Sequence, residues 1–232
     1  MPYGYYGYYF DPTYILIIIA AIISLIAQWR VNSAFSKYSR VASMSGMTGA
    51  QAARMILQSN GINDVSVQRI SGKLTDHYNP STKVLNLSES VYGSTSVAAI
   101  GVAAHECGHA IQHARGYFPL SLRTALVPVA NIGSQLSWVF IIVGAILSFN
   151  QTLITIGIIM FSAAVLFPVE FNASARALAQ LESNGILYRD EVSQTRKVLS
   201  AAALTYVAAA ATAILQLLRL IILFGGRGRR DD

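Results

Sequence analysis

Apolar and polar positions divide this chain into three long apolar stretches separated by two polar sections. The first apolar stretch runs from Tyr14 to Trp29, just short of the range of about 17–25 residues that crosses a bilayer as a helix. The second, Thr124 to Pro168, is long enough for two spans, Leu126–Phe149 and Leu153–Phe167, joined by an uncharged turn at Asn150-Gln151. The third covers Ala203–Phe224 and follows a helix that Asp190 can start. The pattern therefore predicts a mainly α membrane protein with about four transmembrane helices. Trp29 and the tyrosines of the 1–12 head suit the interface, and Pro168 ends or kinks the third span. Asn131 and Gln135 lie four apart within the second span. Lipid offers such amides no partner, so they are expected to face a neighbouring helix or the active-site cavity.

The organisation that follows is a head and first span (1–29), a polar section (30–123), a membrane hairpin (124–169), a second polar connector (170–202) and a last span with a basic tail (203–232). Within 30–123, Thr48 can cap a helix through Ala52, Ala53, Met55, Ile56 and Leu57, which Gly61 ends. Val65 and Val67 alternate with Ser66 and Gln68, as in a short strand, and Lys83 to Leu87 reads as another. Between them Asp76-His77-Tyr78 reads as a turn before Pro80. Ser88 starts a short helix, and Ser94, Thr95 or Ser96 can cap a longer one from Val97 that Gly116 stops. This is a small α+β unit, too small to bury much core alone, and it should lean on the membrane helices.

Composition sharpens the membrane reading: 53% of residues are apolar and 12% are charged. Charge distribution then suggests an orientation. Residues 30–123 carry nine Lys/Arg and 170–199 carry four, whereas the head and the 150–152 turn carry none. By the positive-inside tendency the polar sections are expected in the cytoplasm, with the N-terminus outside and the protein multi-pass in the plasma membrane. Positive charge after the first span, rather than before it, argues for an uncleaved anchor. The net charge of +6 is then explained by orientation, and no nucleic-acid partner is expected. The single cysteine, Cys107, excludes an intramolecular disulfide and reads as a small filler.

The chemistry concentrates in Ala104-His105-Glu106-Cys107-Gly108-His109-Ala110. This H-E-x-x-H segment places two imidazoles one turn apart on one helix face, where both can hold a Zn²⁺. Glu106, one step round the helix, is the position from which a carboxylate deprotonates a zinc-activated water. Three of the four histidines lie within nine residues. His113, eight residues beyond His105, is about 12 Å along the axis. A continuous helix cannot bring it to the same ion, so it reads as a supporting or helix-end histidine.

Further motifs occur in order along the chain: Thr75-Asp76-His77-Tyr78-Asn79-Pro80, Leu87-Ser88, Ala103 to His113, and Pro168-Val169-Glu170-Phe171-Asn172-Ala173-Ser174. On these the chain resembles, over nearly its whole length, the neutral zinc metallopeptidase family of bacterial multi-pass membrane proteins. More distantly it is similar to membrane zinc proteases of the heat-shock and prenyl-protein-processing type. Those carry Glu-x-x-Ala-Asp in the second zinc helix, and Ser174 stands here in place of the aspartate. The resemblance implies a zincin-like catalytic section and zinc-dependent proteolysis, and leaves the substrate open.

A peptidase zinc needs three protein ligands and one open position. Glu170 is the expected third ligand. It follows an apolar span and Pro168, where an unpaired charge is expensive, and it matches the ligand glutamate of the resembled families. Glu182 is the alternative. Ser174, one turn beyond Glu170, can bond either Glu170 or a zinc histidine. His77 or Tyr78 is the candidate oxyanion donor, with the Lys83–Leu87 strand pairing an extended substrate backbone. Arg176 could pair with Glu182 or a headgroup.

The expected function is an integral-membrane zinc metallopeptidase acting on peptides or proteins, with Glu106 as general base, the bilayer as its setting, and a membrane-protein partner or second copy as a possible associate. A site-2-type protease would carry Leu-Asp-Gly on a later span, and that tripeptide is absent. A non-catalytic zinc scaffold would need a closed four-ligand site, which one cysteine makes harder to build. A membrane assembly factor of peptidase ancestry is the other alternative.

Overall fold

The computed structural model describes residues 11–125 and 168–225. Helix α1 spans Tyr14–Tyr38 and α2 spans Gly49–Ser59. Strands β1 (Ser66–Ile70), β2 (His77–Asn79) and β3 (Val84–Ser88) follow. Next come the short α3 (Glu89–Tyr92) and the long α4 (Val97–Ala114). Helix α5 occupies 118–125, α6 occupies 168–183, and α7 runs Arg189–Gly225. The protein is mostly helical with one small mixed sheet.

Among the described residues, α1 and the Arg189–Gln216 part of α7 are long and apolar enough to cross a membrane. Both spans expected in the hairpin, Leu126–Phe149 and Leu153–Phe167, lie outside the described residues, as do Asn131 and Gln135. Helix α1 continues past Trp29, where the first span was expected to end. Residues 30–38 contain no Gly or Pro to break it, so the backbone ladder carries on beyond the apolar stretch. Its buried positions are Ala20, Ala27, Phe35 and Tyr38, while Ile15, Ile18, Ile22, Leu25 and Ile26 are exposed. A narrow packing stripe with an apolar remainder suits a helix in lipid. The stripe meets α7 antiparallel: Asp11 bonds Arg219 at 3.2 Å, and Ser24 bonds Thr212 at 3.2 Å.

Local signals explain the rest. Thr48 and Gln51 form a reciprocal capping box on α2, and Ser96 Oγ accepts from Ala99 N–H to cap α4. Gly61 and Gly116 adopt positive φ just beyond α2 and α4, as expected of chain reversals at helix ends. At the start of α7, Glu191 Oε2 accepts from Tyr188 N–H, and its Oε1 takes Met44 N–H at 2.7 Å. One buried carboxylate thus caps α7 and pins the 41–47 loop to it.

The sheet has the order β1-β3-β2, with β1 parallel and β2 antiparallel to β3. Two expectations change here. The segment around His77 is a strand, and the turn comes after it, at residues 80–83. The strand at Lys83–Leu87 is central, so both its hydrogen-bonding rows are occupied and it cannot pair with a substrate. The edge strands are β1 and β2, and β2 is the one that contacts α4.

Helix α4 is the centre of the core. All but four of its 18 residues are buried. Ala52, Ala53, Ile56 and Leu57 of α2 pack on one side, Leu85 and Leu87 of β3 on another, and α6 and α7 close the third. At Gly101 a Cβ would lie 2.6 Å from Thr195 Cγ2 of α7, so the glycine sets that approach. The long apolar helix α7 therefore buttresses α4 directly. Gly101→Ala should cost about 1–3 kcal/mol through overpacking. Adding Thr195→Ser, which deletes the offending methyl, should recover most of the loss. Thermal unfolding in detergent checks this, and a double variant no more stable than Gly101→Ala would locate the strain elsewhere.

Candidate metal centre

Helix α4 presents His105 and His109 one turn apart, their rings edge to face with centroids 4.8 Å apart. Helix α6 presents Glu170 to both. Glu170 Oε2 lies 3.3 Å from His105 Nε2 and 3.6 Å from His109 Nε2. The three ligand atoms fall within 4.8 Å of one another, and His109 and Glu170 are buried. Among the described residues this is the group of His, Cys, Asp and Glu that could hold a metal ion. Glycine makes the convergence possible, since a Cβ on Gly108 would lie 2.5 Å from the Ala173 carbonyl oxygen of α6. That partner is backbone and cannot rotate away.

Each ligand side chain has its remaining polar atom held. Ser174 Oγ bonds His105 Nδ1 at 3.1 Å, and Gln112 Oε1 bonds His109 Nδ1 at 3.0 Å. These bonds engage Nδ1 of each ring and leave both Nε2 atoms facing Glu170. Arg123 Nη1 of α5 donates to Glu170 Oε1 at 3.0 Å. Gln112, fully buried, also donates through Nε2 to the Val169 carbonyl at 2.8 Å and to Asn172 Oδ1 at 3.0 Å. One amide thus orients a histidine and ties α6 to α4.

Burial pushes the Glu170 carboxyl up, but hydrogen bonds and charge from His105 and His109 outweigh it. They hold the group well below the usual carboxylate range. Burial pulls His109 down, and the bond from Glu170 with the charge of Glu106 more than reverses it. Two imidazoles and a carboxylate, dry and preoriented, suit Zn²⁺ with one position left open, as catalytic zinc sites require. The donor set fits zinc.

Glu106 stands outside the ligand group. It is nearly buried, and its Oε2 accepts the main-chain N–H of Tyr78 at 2.9 Å. Tyr78 therefore meets the site through its backbone, while its hydroxyl bonds His113 Nδ1 at 2.7 Å, two turns along α4 from Glu106. Burial pushes that phenol up to about 12. His77 is exposed, with its ring between the Thr75 carbonyl and Asn86. Among the described residues neither ring bonds a member of the ligand group. Asp76 accepts from Ser88 N–H and Oγ, joining the entrance of β2 to the end of β3, and burial raises its carboxyl. His113 lies outside the ligand set. Glu182 is exposed, and Arg176, instead of pairing with it, donates to Asn172 Oδ1 at 2.7 Å over the Tyr117 ring. Cys107 is buried against the Ala53 carbonyl, and burial pushes its thiol far up, which suits a filler.

Sequence reasoning did not assign Gln112 or Arg123. Gln112 had a signal, being an amide three residues beyond His109 on an apolar helix. Arg123 had only its place before the apolar stretch.

The family model described as "Putative neutral zinc metallopeptidase" matches residues 13–225. The chain belongs to this family. A member from Bacillus subtilis (strain 168), described as "Putative membrane protease YugP", is 48% identical over 217 residues, covering 91% of this chain and 96% of that relative. No solved structure matches. The family description names zinc, and the ligand group could hold a metal ion.

Glu170→Ala should release the zinc, while Glu182→Ala should leave it bound. Gln112→Leu should weaken zinc affinity by about 10–100-fold, as loss of a ligand-orienting bond does elsewhere. Metal analysis and chelator competition on detergent-purified protein read all three. Zinc retained by Glu170→Ala but lost by Glu182→Ala would move the ligand.

Proposed function

We propose that this chain is a membrane-integrated zinc metallopeptidase that hydrolyses peptide bonds of peptide or protein substrates. The observation that carries the proposal is the position of Glu106. It sits on the helix of both ligand histidines, outside the ligand group, and is held by one oxygen only. Zinc, when bound by His105, His109 and Glu170, supplies the Lewis acidity that activates water and polarises the scissile carbonyl. Glu106 then takes the proton of that water through the oxygen that Tyr78 leaves free, and delivers a proton to the departing amine.

Strand β2 supports a substrate path. In an antiparallel ladder a residue turns its N–H and C=O to the same side. Tyr78 N–H points away from β3 to Glu106, so its carbonyl also faces outward, available to an extended substrate N–H. Substrate pairing moves from the expected Lys83–Leu87 strand to this edge. In this reading Tyr78 acts through its main chain, and His77 frames the same edge with its ring.

Two helices able to span a bilayer and the relative described as a membrane protease support a membrane setting. The antiparallel α1 and α7 put the polar sections at one end of the pair and Asp11 with Arg219 at the other. With nine and four basic residues in those sections, we place the catalytic section in the cytoplasm.

Glu106→Gln should keep its zinc and lose casein or peptide cleavage by about 10²–10⁴-fold in detergent. Wild-type turnover in the variant, or vanished zinc, would sink the base assignment. A wild type that binds zinc and cleaves nothing would favour a scaffold or assembly factor. For orientation, cysteines placed within 60–90 should resist an impermeant thiol reagent on intact cells and react after lysis. Ready labelling of intact cells would invert the topology.

A further inference from the structure

The two oxygens of Glu170 have different surroundings. Oε2 faces both histidine Nε2 atoms, at 3.3 and 3.6 Å, whereas Oε1 takes Arg123 Nη1 at 3.0 Å. A carboxylate can ligate a metal through one oxygen or chelate it through two. Chelation here would raise a zinc of four donors, its water included, to five, and fill the position that a substrate carbonyl enters in the transition state. The guanidinium on Oε1 makes a charge-assisted hydrogen bond and stays protonated throughout the accessible pH range. It therefore competes for that lone pair under all conditions. The Glu170 side chain is only 3% exposed, so bulk water is poorly placed to do the same task. Arg123 comes from α5, which carries none of the three ligands, so it is not needed to bring the histidines and Glu170 together.

We propose that Arg123 is a positioning residue that reserves Oε1 of Glu170, so that the carboxylate offers the metal one oxygen and the position beyond the water stays open to a substrate carbonyl. This rests on the zinc-centre reading above. Removing the reservation frees a second donor atom beside the ion and leaves the Tyr206 side chain of α7 as the carboxylate's other hydrogen-bond partner. The prediction is unusual for loss of a site arginine: metal stays bound, and its coordination number rises. Turnover falls because the added oxygen takes the position that a substrate carbonyl enters.

The test uses the full-length protein in detergent, with zinc replaced by Co²⁺, whose visible absorption is strong when four-coordinate and weak at higher coordination. Wild type should bind one ion per chain and absorb strongly. Arg123→Met should bind the ion at least as tightly while its absorption falls severalfold. Arg123→Lys, which restores a cation, should regain the wild-type spectrum. A full-strength spectrum in Arg123→Met, or loss of its metal, would overturn the proposal. So would a weak spectrum in wild type, a measurement that needs no variant to fold. Failure of the peptidase reading looks different: wild type and Arg123→Met would show the expected spectra while neither cleaves a peptide.

Discussion

The metal centre depends on how closely α4 and α6 approach. Ligands 61 residues apart or more in sequence must converge within hydrogen-bonding distance, and backbone must therefore nearly touch backbone where the helices cross. Gly108 permits this, because any side chain there would meet the Ala173 carbonyl. The identity of the residue inside the H-E-x-x-H motif thus answers to helix packing rather than chemistry. Gln112 works on the same junction one turn later, where its amide satisfies the Val169 carbonyl at the beginning of α6.

Around this junction each ligand is fixed by a residue of different chemistry: a hydroxyl for His105, an amide for His109 and a guanidinium for Glu170. The imidazoles bond to neutral partners. The cationic partner on the carboxylate offsets the cost of burying a charge, which is several kcal/mol for an unpaired ion. Ser174 shows how little the position requires. The distant relatives' aspartate would bring a second negative charge next to Glu170, whereas a hydroxyl fixes the same nitrogen without one.

Much of this was legible because it rests on local rules. The two histidines and Glu106 follow from helical spacing, the caps at Thr48 and Ser96 from side-chain oxygens that reach back to orphan N–H groups, and Glu170 from the cost of charge beside an apolar stretch. Contacts between elements were not legible in that way. A three-residue strand such as β2 has too little periodicity to distinguish it from a turn, and its pairing with β3 is decided by tertiary packing. Arg123 is ordinary until α6 brings Glu170 to it, 47 residues away. The parallel pairing of β1 with β3 likewise reflects where the chain passes between them, which hydrophobic alternation does not encode.

The shortness of β2 has a consequence for selectivity. At roughly 3.3 Å per residue its free edge is only about 10 Å long, and Glu106 already claims one of its outward N–H groups. On the proposed function, so brief an edge has little capacity to read sequence. It can engage only a segment whose own backbone hydrogen bonds are unmade, since helices and paired strands have none to offer. Such an enzyme would discriminate by conformational state, passing over folded polypeptide and acting where order has been lost.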